Sequence, residues 1–487
     1  MKEIEQHKQF NLTDFLITNN TKMKGRTIFI DDSRQYTMED TCKTIDNYCL
    51  YFKSVKCKKG DKIGILKKDS FDYICIFLAA IKLGVIPVLI NIKQSNENIN
   101  FIIKDSEIEV LFMDSIRKDK IVLEKSVPNV VFDLDIKPSA ALYDREVTYE
   151  NDIACILYTS GTTGMPKAVA HTHNNFYFCT KAYGDHILTI TDKDTIYSAS
   201  QLPFSFGLVA KLTLPLFYGA KAIISNNDSL YDVISCLKVN SPSLIFAVPT
   251  IFNALLRANS EFINKKELRV CVAAGEAMKE IDIINWEKKF GCKLLQSYGQ
   301  TEAVFVTLSN TITENIIGSV GKPVPGYHAA IVGGDNKVLE DNHIGELVIS
   351  GGSISNSKNP ASPEFHTGDL FYKDLNGYFW FAGRNSETFK YRGEWINVLK
   401  LESTLDMLEG IEKTIIRGEL DNSGSVELSV YISLNAAIDI SALKSAIKKK
   451  LPRHLLPRKY YLVESFPHGI TGKIDRNKLD DIIKKDL

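Results

Sequence analysis

The sequence has no excess of charge of either sign. Lys+Arg and Asp+Glu both total 59 over 487 residues, so it lacks the basic surplus that nucleic-acid binding requires, and no nucleic-acid partner is expected. Long uninterrupted apolar runs are also missing. The longest, "ICIFLAAIKLGVIPVLI" from Ile74 to Ile90, is broken by Lys82, Gly84 and Pro87. That makes a poor membrane span but a good buried helix closed at Gly84, followed by a strand. The N-terminus, "MKEIEQHKQFNLTDFL", has neither an apolar segment nor a small-residue cleavage site, so no leader and no membrane partner are expected. The nine cysteines form no CxxC pair. This argues against a disulfide framework or a zinc site and for reduced thiols in a cytoplasmic protein. Internal repeats and low-complexity segments are absent. The one local imbalance is "KSAIKKKLPRHLLPRK", Lys444 to Lys459, which holds basic residues and no acids. It suits a solvated face, or a docking surface for an acidic partner or a phosphate.

What is present is a long, ordinary globular composition, and the length implies two or more domains. Most of the chain alternates β-branched runs with helix-length segments. "DKIGILKK", "VIPVLI", "VLFMD", "NVVFDL", "TIYSAS", "KAIIS", "SLIFAVP", "LRVCVAAGE" and "CKLLQSYG" read as strands, and "SFDYICIFLAAIKLG" as a helix. Such alternation predicts an α/β fold of helix-covered, mostly parallel sheets. From about Ile317 the texture becomes that of a small β-rich subdomain, with "HAAIVGG", "GELVISGG" and "GYFWFAG". After Arg384 come a strand and helix ("INVLKLESTLDML"), two strands ("IEKTIIRGEL", "SVELSVYISL") and a helix ("SALKSAIKKKL"). These predict a separate, small α+β domain. The expected organisation is a large domain over residues 1–384 and a C-terminal domain over 385–487.

The most informative stretch is "LYTSGTTGMPKAVAHTHNN", Leu157 to Asn175. A buried strand runs into six small or hydroxylated residues and then a lone lysine. Gly161 and Gly164 let backbone N–H groups approach an anion. Thr159, Ser160, Thr162 and Thr163 add hydroxyl donors, and Lys167 adds a point charge. Together they suit a polyphosphate. The loop is not a Walker A motif, because Met165 and Pro166 separate Lys167 from Gly164 and Ala168 follows it.

This segment resembles the signature of the acyl-adenylate-forming superfamily, which includes acyl-CoA synthetases, adenylation domains of peptide synthetases, and luciferases. Ala168 stands where the family usually has glycine. Further motifs follow in family order. By that resemblance, "SYGQTEA" (Ser297 to Ala303) would place Tyr298 on an adenine face, Thr301 on a phosphate and Glu302 on Mg2+. "AAGEAM" (Ala273 to Met278) would line the adenine and acid pockets with Gly275 and Glu276. "HTGDL" would set Asp369 on the ribose hydroxyls. "FAGR" would end at a nucleotide-contacting Arg384, and "GITGKIDRNKL" (Gly469 to Leu479) would carry the catalytic Lys473. The resemblance implies a C-terminal domain that moves as a lid about a hinge near Ser386. Family members usually carry Asp or Lys at that hinge position, and Arg or Gln where this chain has Trp395.

The implied reaction joins a carboxylic acid to ATP, giving acyl-AMP and pyrophosphate, and then passes the acyl group to a thiol. A carboxylate is already ionised at neutral pH, its pKa lying ~3 units lower, so no general base is needed. The obstacle is repulsion between two anions. Lys167, Lys473, Mg2+ on Glu302 and the loop N–H groups would overcome it, with Thr301 beside them. Local similarity is greatest to benzoate-CoA-ligase-like enzymes, in "AVAHTHNNFY", "SASQLPFSFGLVAKLTLPLFYGAKAII" and "GKPVPGYHAAI". Amino-acid-activating relatives place an Asp where this chain has Ser205, so an α-amino acid is disfavoured. The acid pocket is expected from Ser205, Phe206, Ala274, Gly299, Val304 and Phe305, where phenylalanines beside small residues suit a flat ring. CoA is the expected acceptor; the phosphopantetheine thiol of an acyl or peptidyl carrier protein is the alternative, and a non-catalytic nucleotide-binding scaffold a third reading. A monomer or homodimer is expected.

Overall fold

The alternating runs do build helix-covered parallel sheets, and they build two of them. The structure is a computed structural model. It describes residues 8–20, 23–31, 34–115, 121–124, 127, 129–132, 146–160, 165–226, 229–258, 260–355, 364–384, 390–391, 394–420, 426–435, 438–467, 474, 476–479, 482 and 484–486, and every statement below concerns those. By packing, the chain divides into two units: Met1–His328 with Ser350–Phe365, and Ala329–Ile349 with His366–Leu487.

The first unit starts with α1 (Leu12–Asn19), an antiparallel pair of β1 (Thr27–Asp31) and β2 (Arg34–Thr37), and α2 (Met38–Ser54). There follow β3 (Lys62–Leu66), α3 (Phe71–Lys82), β4 (Ile86–Leu89), α4 (Asn96–Asp105), β5 (Val110–Met113) and β6 (Asn129–Phe132). Then come β7 (Ile153–Ser160), β8 (Pro166–Thr172), α5 (His173–Tyr183) and β9 (Thr195–Ser198). Two short helices, α6 (Ser205–Leu208) and α7 (Leu214–Tyr218), flank a π-helical turn at Val209–Thr213. The rest is β10 (Lys221–Ile224), α8 (Leu230–Asn240), β11 (Leu244–Ala247), α9 (Pro249–Arg257), β12 (Val270–Ala273), α10 (Glu280–Phe290), β13 (Lys293–Gly299), β14 (Val306–Ser309) and β15 (Lys322–Pro323).

One sheet has the order β6-β5-β3-β4-β7-β8 and is parallel except at the β7–β8 edge. The other runs β15-β14-β13-β12-β11-β9-β10-β1-β2, parallel from β13 to β1 and antiparallel at both edges. β1 enters beside β10, with Phe29 opposite Ala222, a pairing between distant stretches of chain that no local pattern announces. The interrupted apolar run is α3, buried at every position from Tyr73 to Ile81. Gly84 N–H bonds the Ile81 carbonyl and Val85 N–H the Ala80 carbonyl, the double closure expected of a helix stopped by glycine. Lys82, largely buried at the end of α3, is charge-compensated by the buried Asp46 at 2.7 Å. No helix among the described residues is long and apolar enough to cross a membrane. All nine cysteines are free.

The second unit contains β16 (Tyr327–Val332), β17 (Gly345–Gly351), β18 (Glu364–Lys373) and β19 (Phe379–Arg384), in that sheet order. After a short pair, β20 (Lys390–Tyr391) and β21 (Glu394–Trp395), come α11 (Val398–Asp406), β22 (Ile411–Leu420), β23 (Val426–Leu434), α12 (Ile440–Lys450), β24 (Lys459–Val463) and β25 (Lys484–Asp486). The last four strands form a sheet, and α11 and α12 pack on it through Leu405, Ile416, Val430, Ile432 and Ile447. The packing border thus differs from the expected break at 384/385. α11 lies against β19, so the β-rich strands group with the C-terminal elements. The basic segment is largely accounted for locally. Lys448, Lys449 and Lys450 form the last turn of α12, favourable at a helix C-terminus, and Arg458 and Lys459 pair with Glu427 and Glu419 at 2.6 and 3.0 Å.

Candidate active site

The phosphate-loop sequence begins at the end of β7, but its lysine does not open a helix. It lies on β8, which returns antiparallel, with Thr159 opposite Lys167 and Ser160 opposite Pro166. Cross-strand partners share a face. Cys155/His171 and Leu157/Val169 line that face within the core, and Thr159/Lys167 continue it where the apolar contacts stop. Lys167 is exposed and meets no acidic partner among the described residues. Gly161, Thr162, Thr163 and Gly164 lie outside those residues, as does the side chain of Ser160.

In the larger sheet the parallel strands β11, β12 and β13 end side by side, with Ala247 opposite Ala273 and Ala273 opposite Gln296. The carboxyl ends of such strands are where α/β sheets bind ligands. Ala274 is buried just beyond β12, and Gly275 follows. Glu276 turns back to α9, its carboxylate accepting from the Thr250 N–H at 3.3 Å and hydroxyl at 2.7 Å. That helix has no side-chain cap of its own, so Glu276 serves its first turn. Tyr298 is half-buried, and its hydroxyl accepts from Gln300 Nε2 at 2.8 Å.

The β13–β14 connection is tightly built. Gly299 sits at a bulge, and a Cβ there would lie 2.1 Å from the Phe305 carbonyl oxygen. A single 3-10 turn, Thr301–Ala303, follows. Val304 then has φ +63° and ψ −48°, and the Phe305 N–H reaches back to the Ala303 carbonyl at 2.7 Å. This is the rarer, positive-φ γ-turn. On a β-branched residue it costs about 1–3 kcal/mol, so neighbours must hold it. Ser353 Oγ donates to the Ala303 carbonyl at 2.7 Å, and Ser355 N–H to the Glu302 carbonyl at 2.7 Å. Ser355 Oγ also donates to the Ala170 carbonyl of β8 at 2.8 Å. One serine therefore ties the Glu302 turn to the lysine-bearing strand, three residues (~10 Å) from Lys167. The Glu302 carboxylate is half-buried and free of hydrogen bonds and ion pairs among the described residues.

The expected acid-pocket residues partly assemble. Phe206, at the start of α6, stacks on Phe305, with ring centroids 5.5 Å apart and planes at 24°. Val304 and Phe305 are buried, and Ser205 is half-buried. Two rings that sequence reasoning missed complete the group. Phe246 of β11 lies edge-on to Phe206 at 5.8 Å, and Tyr183 of α5 meets Phe305 edge-on at 5.1 Å. Neither belongs to a motif; each sits in an ordinary apolar stretch. Ser353 and Ser355 were missed for the same reason.

In the second unit, Asp369 and Arg384 are cross-strand partners on β18 and β19, with Nε 3.4 Å from Oδ1. Asp369 is buried and its N–H bonds Thr367 Oγ1 at 3.1 Å. In the C-terminal motif, Arg476 grips Glu402 of α11 with two bonds of 2.8 and 2.7 Å. The buried Glu402 also accepts from Ile416 N–H at 2.7 Å. Lys473 and Ser386 lie outside the described residues, and so does the side chain of Trp395.

Two buried histidines neighbour the first-unit site. Burial lowers the pKa of His171 to about 4, outweighing opposing effects from the Thr301 backbone and the Asn175 side chain. Burial likewise lowers His173 to about 4, and its Nδ1 accepts from Leu12 N–H at 3.2 Å. Both are therefore neutral in the folded protein at pH 7.

A protein-family profile described as "AMP-binding enzyme" matches residues 17–357. Over 510 residues the chain is 28% identical to the 4-hydroxybenzoate–CoA/benzoate–CoA ligase of Rhodopseudomonas palustris, covering 96% of this chain and 93% of that protein. It is 28% identical to the benzoate–CoA ligase of Thauera aromatica, covering 97% and 96%. Among solved structures, a benzoate CoA ligase from Burkholderia xenovorans LB400 superposes with a TM-score of 0.87 at 25% identity, covering 96% of this chain and 99% of that one.

Two outcomes follow from the geometry. Gly299→Ala forces the Phe305 backbone aside and lowers stability by ~1–3 kcal/mol, read as a fall in urea midpoint; an unchanged midpoint contradicts the close approach. The histidines give a pH dependence. Well above pH 6.5 neither the folded nor the unfolded chain protonates them. As pH falls from 6.5 towards 4, the unfolded chain binds protons that the folded chain refuses, so stability drops, at most by about 1.4 kcal/mol per pH unit per histidine. His171→Gln should flatten part of that slope in denaturation measured between pH 7 and 5, and an identical slope in the variant contradicts the assignment.

Proposed function

The chain belongs to the AMP-binding enzyme family, and on that premise we propose that it activates an aromatic carboxylic acid with ATP, releases pyrophosphate, and transfers the acyl group from acyl-AMP to CoA. The observation that carries this reading is the junction at Ser355. It ties the Thr159/Lys167 ladder to the turn of Glu302, whose carboxylate has no partner among the described residues, in one bonded assembly beside a cluster of phenylalanines.

The donor set fits the expected cofactor. Mg2+ bound with a nucleotide takes one or two protein carboxylates and fills its remaining positions with phosphate oxygens and water. Glu302 is a half-buried carboxylate with no competing cation among the described residues. When bound, the ion neutralises phosphate charge. The chain does the rest. Lys167 and the hydroxyls of the 159–163 stretch hold the triphosphate. Tyr298 presents its ring to the adenine, and Gly275 leaves room beside it. Asp369 accepts from the ribose hydroxyls, with Arg384 next to it on the neighbouring strand. Phe206 and Phe305 take the ring of the acid, and Ser205 and Ala274 leave it space. Residues 385–487 act as the lid. Lys473 brings the acid carboxylate to the α-phosphate, so that the carboxylate oxygen forms the new P–O bond as pyrophosphate leaves. Arg476, three residues after Lys473 in sequence, is clamped on Glu402. The CoA thiol then attacks the acyl carbon and AMP departs.

The reading is tested by ATP–pyrophosphate exchange with benzoate, hydroxybenzoates and short fatty acids, followed by mass spectrometry for thioester in the presence of CoA. Exchange and thioester with a benzoate are expected. Exchange without thioester points to a carrier-protein thiol, and no exchange with any acid overturns the proposal. Lys473→Ala should lower the exchange rate roughly 100-fold while ATP affinity, measured by calorimetry, stays within about threefold. Equal losses in both would mean that Lys473 acts in binding and not in the transition state.

A further inference from the structure

A buried ion pair outside the motifs lies next to the segment that carries the acid-pocket wall. Lys211 is 0% exposed and Asp69 2%, and the Lys211 ammonium bonds Asp69 Oδ2 at 2.5 Å. Lys211 sits in the π-helical turn that follows α6, and Asp69 lies between β3 and α3. The surroundings are buried. Tyr73 is wholly buried, its hydroxyl has no hydrogen-bond partner among the described residues, and burial, then the charge of Asp69, keep it protonated. Burying two charges in such a place is costly and adds little net stability over apolar residues of the same volume. The pair therefore needs a reason other than stability.

Its geometry supplies one. Both Asp69 oxygens also accept from the Leu202 N–H, at 3.0 and 3.2 Å. Leu202 begins "LPFSFG", the run that turns into α6 and presents Ser205 and Phe206. The other end of that run is fixed by contact. A Cβ on Gly207 would lie 2.2 Å from the Gln201 carbonyl oxygen and 2.6 Å from that of Ser200. Upstream, Ala199 N–H bonds the Phe246 carbonyl at 2.8 Å. The segment is thus pinned before, at and after Leu202, and Phe206 comes out of it against Phe305.

We propose that Asp69 and Lys211 are positioning residues for the acid pocket: the buried pair fixes the Leu202 turn, and through it the placement of Phe206 on Phe305 that decides which ring the pocket accepts. The charge on Lys211 orients the Asp69 carboxylate, and the carboxylate holds the backbone. Neither side chain touches the reacting atoms. This inference rests on the aromatic-acid reading of the same pocket and adds to it the residues that set its width.

The test compares Asp69→Asn, Lys211→Met and the double variant with the unaltered protein. The amide oxygen that Asp69→Asn introduces can still accept from the Leu202 N–H, so the double variant removes both charges while keeping the backbone bond. Hydrogen–deuterium exchange of residues 199–206 needs no substrate. It should quicken in each single variant and return towards the starting rate in the double variant, with α10 unchanged throughout. In the exchange assay, the KM for the preferred ring acid should rise about tenfold in the single variants, with the KM for ATP unchanged, and the preference between that acid and one a methylene larger should narrow by a similar factor. Unaltered exchange at 199–206 overturns the positioning role whatever the catalytic result. Faster exchange with an unchanged acid KM and preference overturns the claim that the pair sets the pocket, and leaves a purely structural pair. Absence of turnover in the unaltered protein with every acid is the separate failure of the aromatic-acid reading, in which case the amide-exchange arm alone decides the positioning role.

Discussion

Ser355 makes two hydrogen bonds that hold the first unit's chemistry together, one to the Glu302 carbonyl and one to the Ala170 carbonyl. The first belongs to the antiparallel edge of the larger sheet and the second to the edge strand of the smaller one. The turn that carries Glu302 and the strand that carries Lys167, from two different sheets, are thereby bonded to one another through Ser355. The connection has to be rigid because the turn it holds is strained. Val304 adopts a backbone conformation that a β-branched residue disfavours, and it persists because Ser353, Ser355 and the Gly299–Phe305 approach leave the chain no other path. Strain held by several independent contacts is a means of fixing a side chain to a fraction of an ångström.

That rigidity suits the electrostatic problem. A chain with zero formal net charge has no net charge to draw anions in, so attraction rests on how its charges are placed. Lys167 stands at the edge of the core without an acidic neighbour among the described residues, and Glu302 stands without a cation. Elsewhere, charges such as Lys82 with Asp46, Arg269 with Asp194 and Lys211 with Asp69 are matched. On the proposed reading, a nucleotide with its metal ion supplies a partner of each sign to Lys167 and Glu302. The acid ring, on that reading, needs a flat apolar wall, and the stacked Phe206 and Phe305 form one, with Phe246 and Tyr183 edge-on to them.

Much of this was legible in the sequence because the chemistry is carried by short motifs and the fold by local periodicity. β3, α3, β4, β5 and the strands from β9 to β13 were read from their own residues, and so was the closure of α3 at Gly84. The features that were not legible depend on pairing across long separations. β1 beside β10 follows from no local pattern, and neither does the return of Lys167 on a strand paired back to β7. Ser353, Ser355, Phe246, Asp69 and Lys211 are ordinary residues whose roles come from the elements that fold against them. The packing units divide the chain elsewhere than at 384/385 for a similar reason: the motif ending at Arg384 marks a change of sequence texture, whereas β19 packs onto α11 across it.

The most direct test of the account is a crystal structure with an aromatic acyl-adenylate bound. The account predicts the ring against the stacked Phe206 and Phe305, the phosphate within hydrogen-bond reach of the β7–β8 connection, and the Val304 γ-turn unchanged. An adenylate whose phosphate lies away from Lys167 and Glu302, or a Glu302 turn that relaxes to negative φ at Val304 on binding, would contradict it.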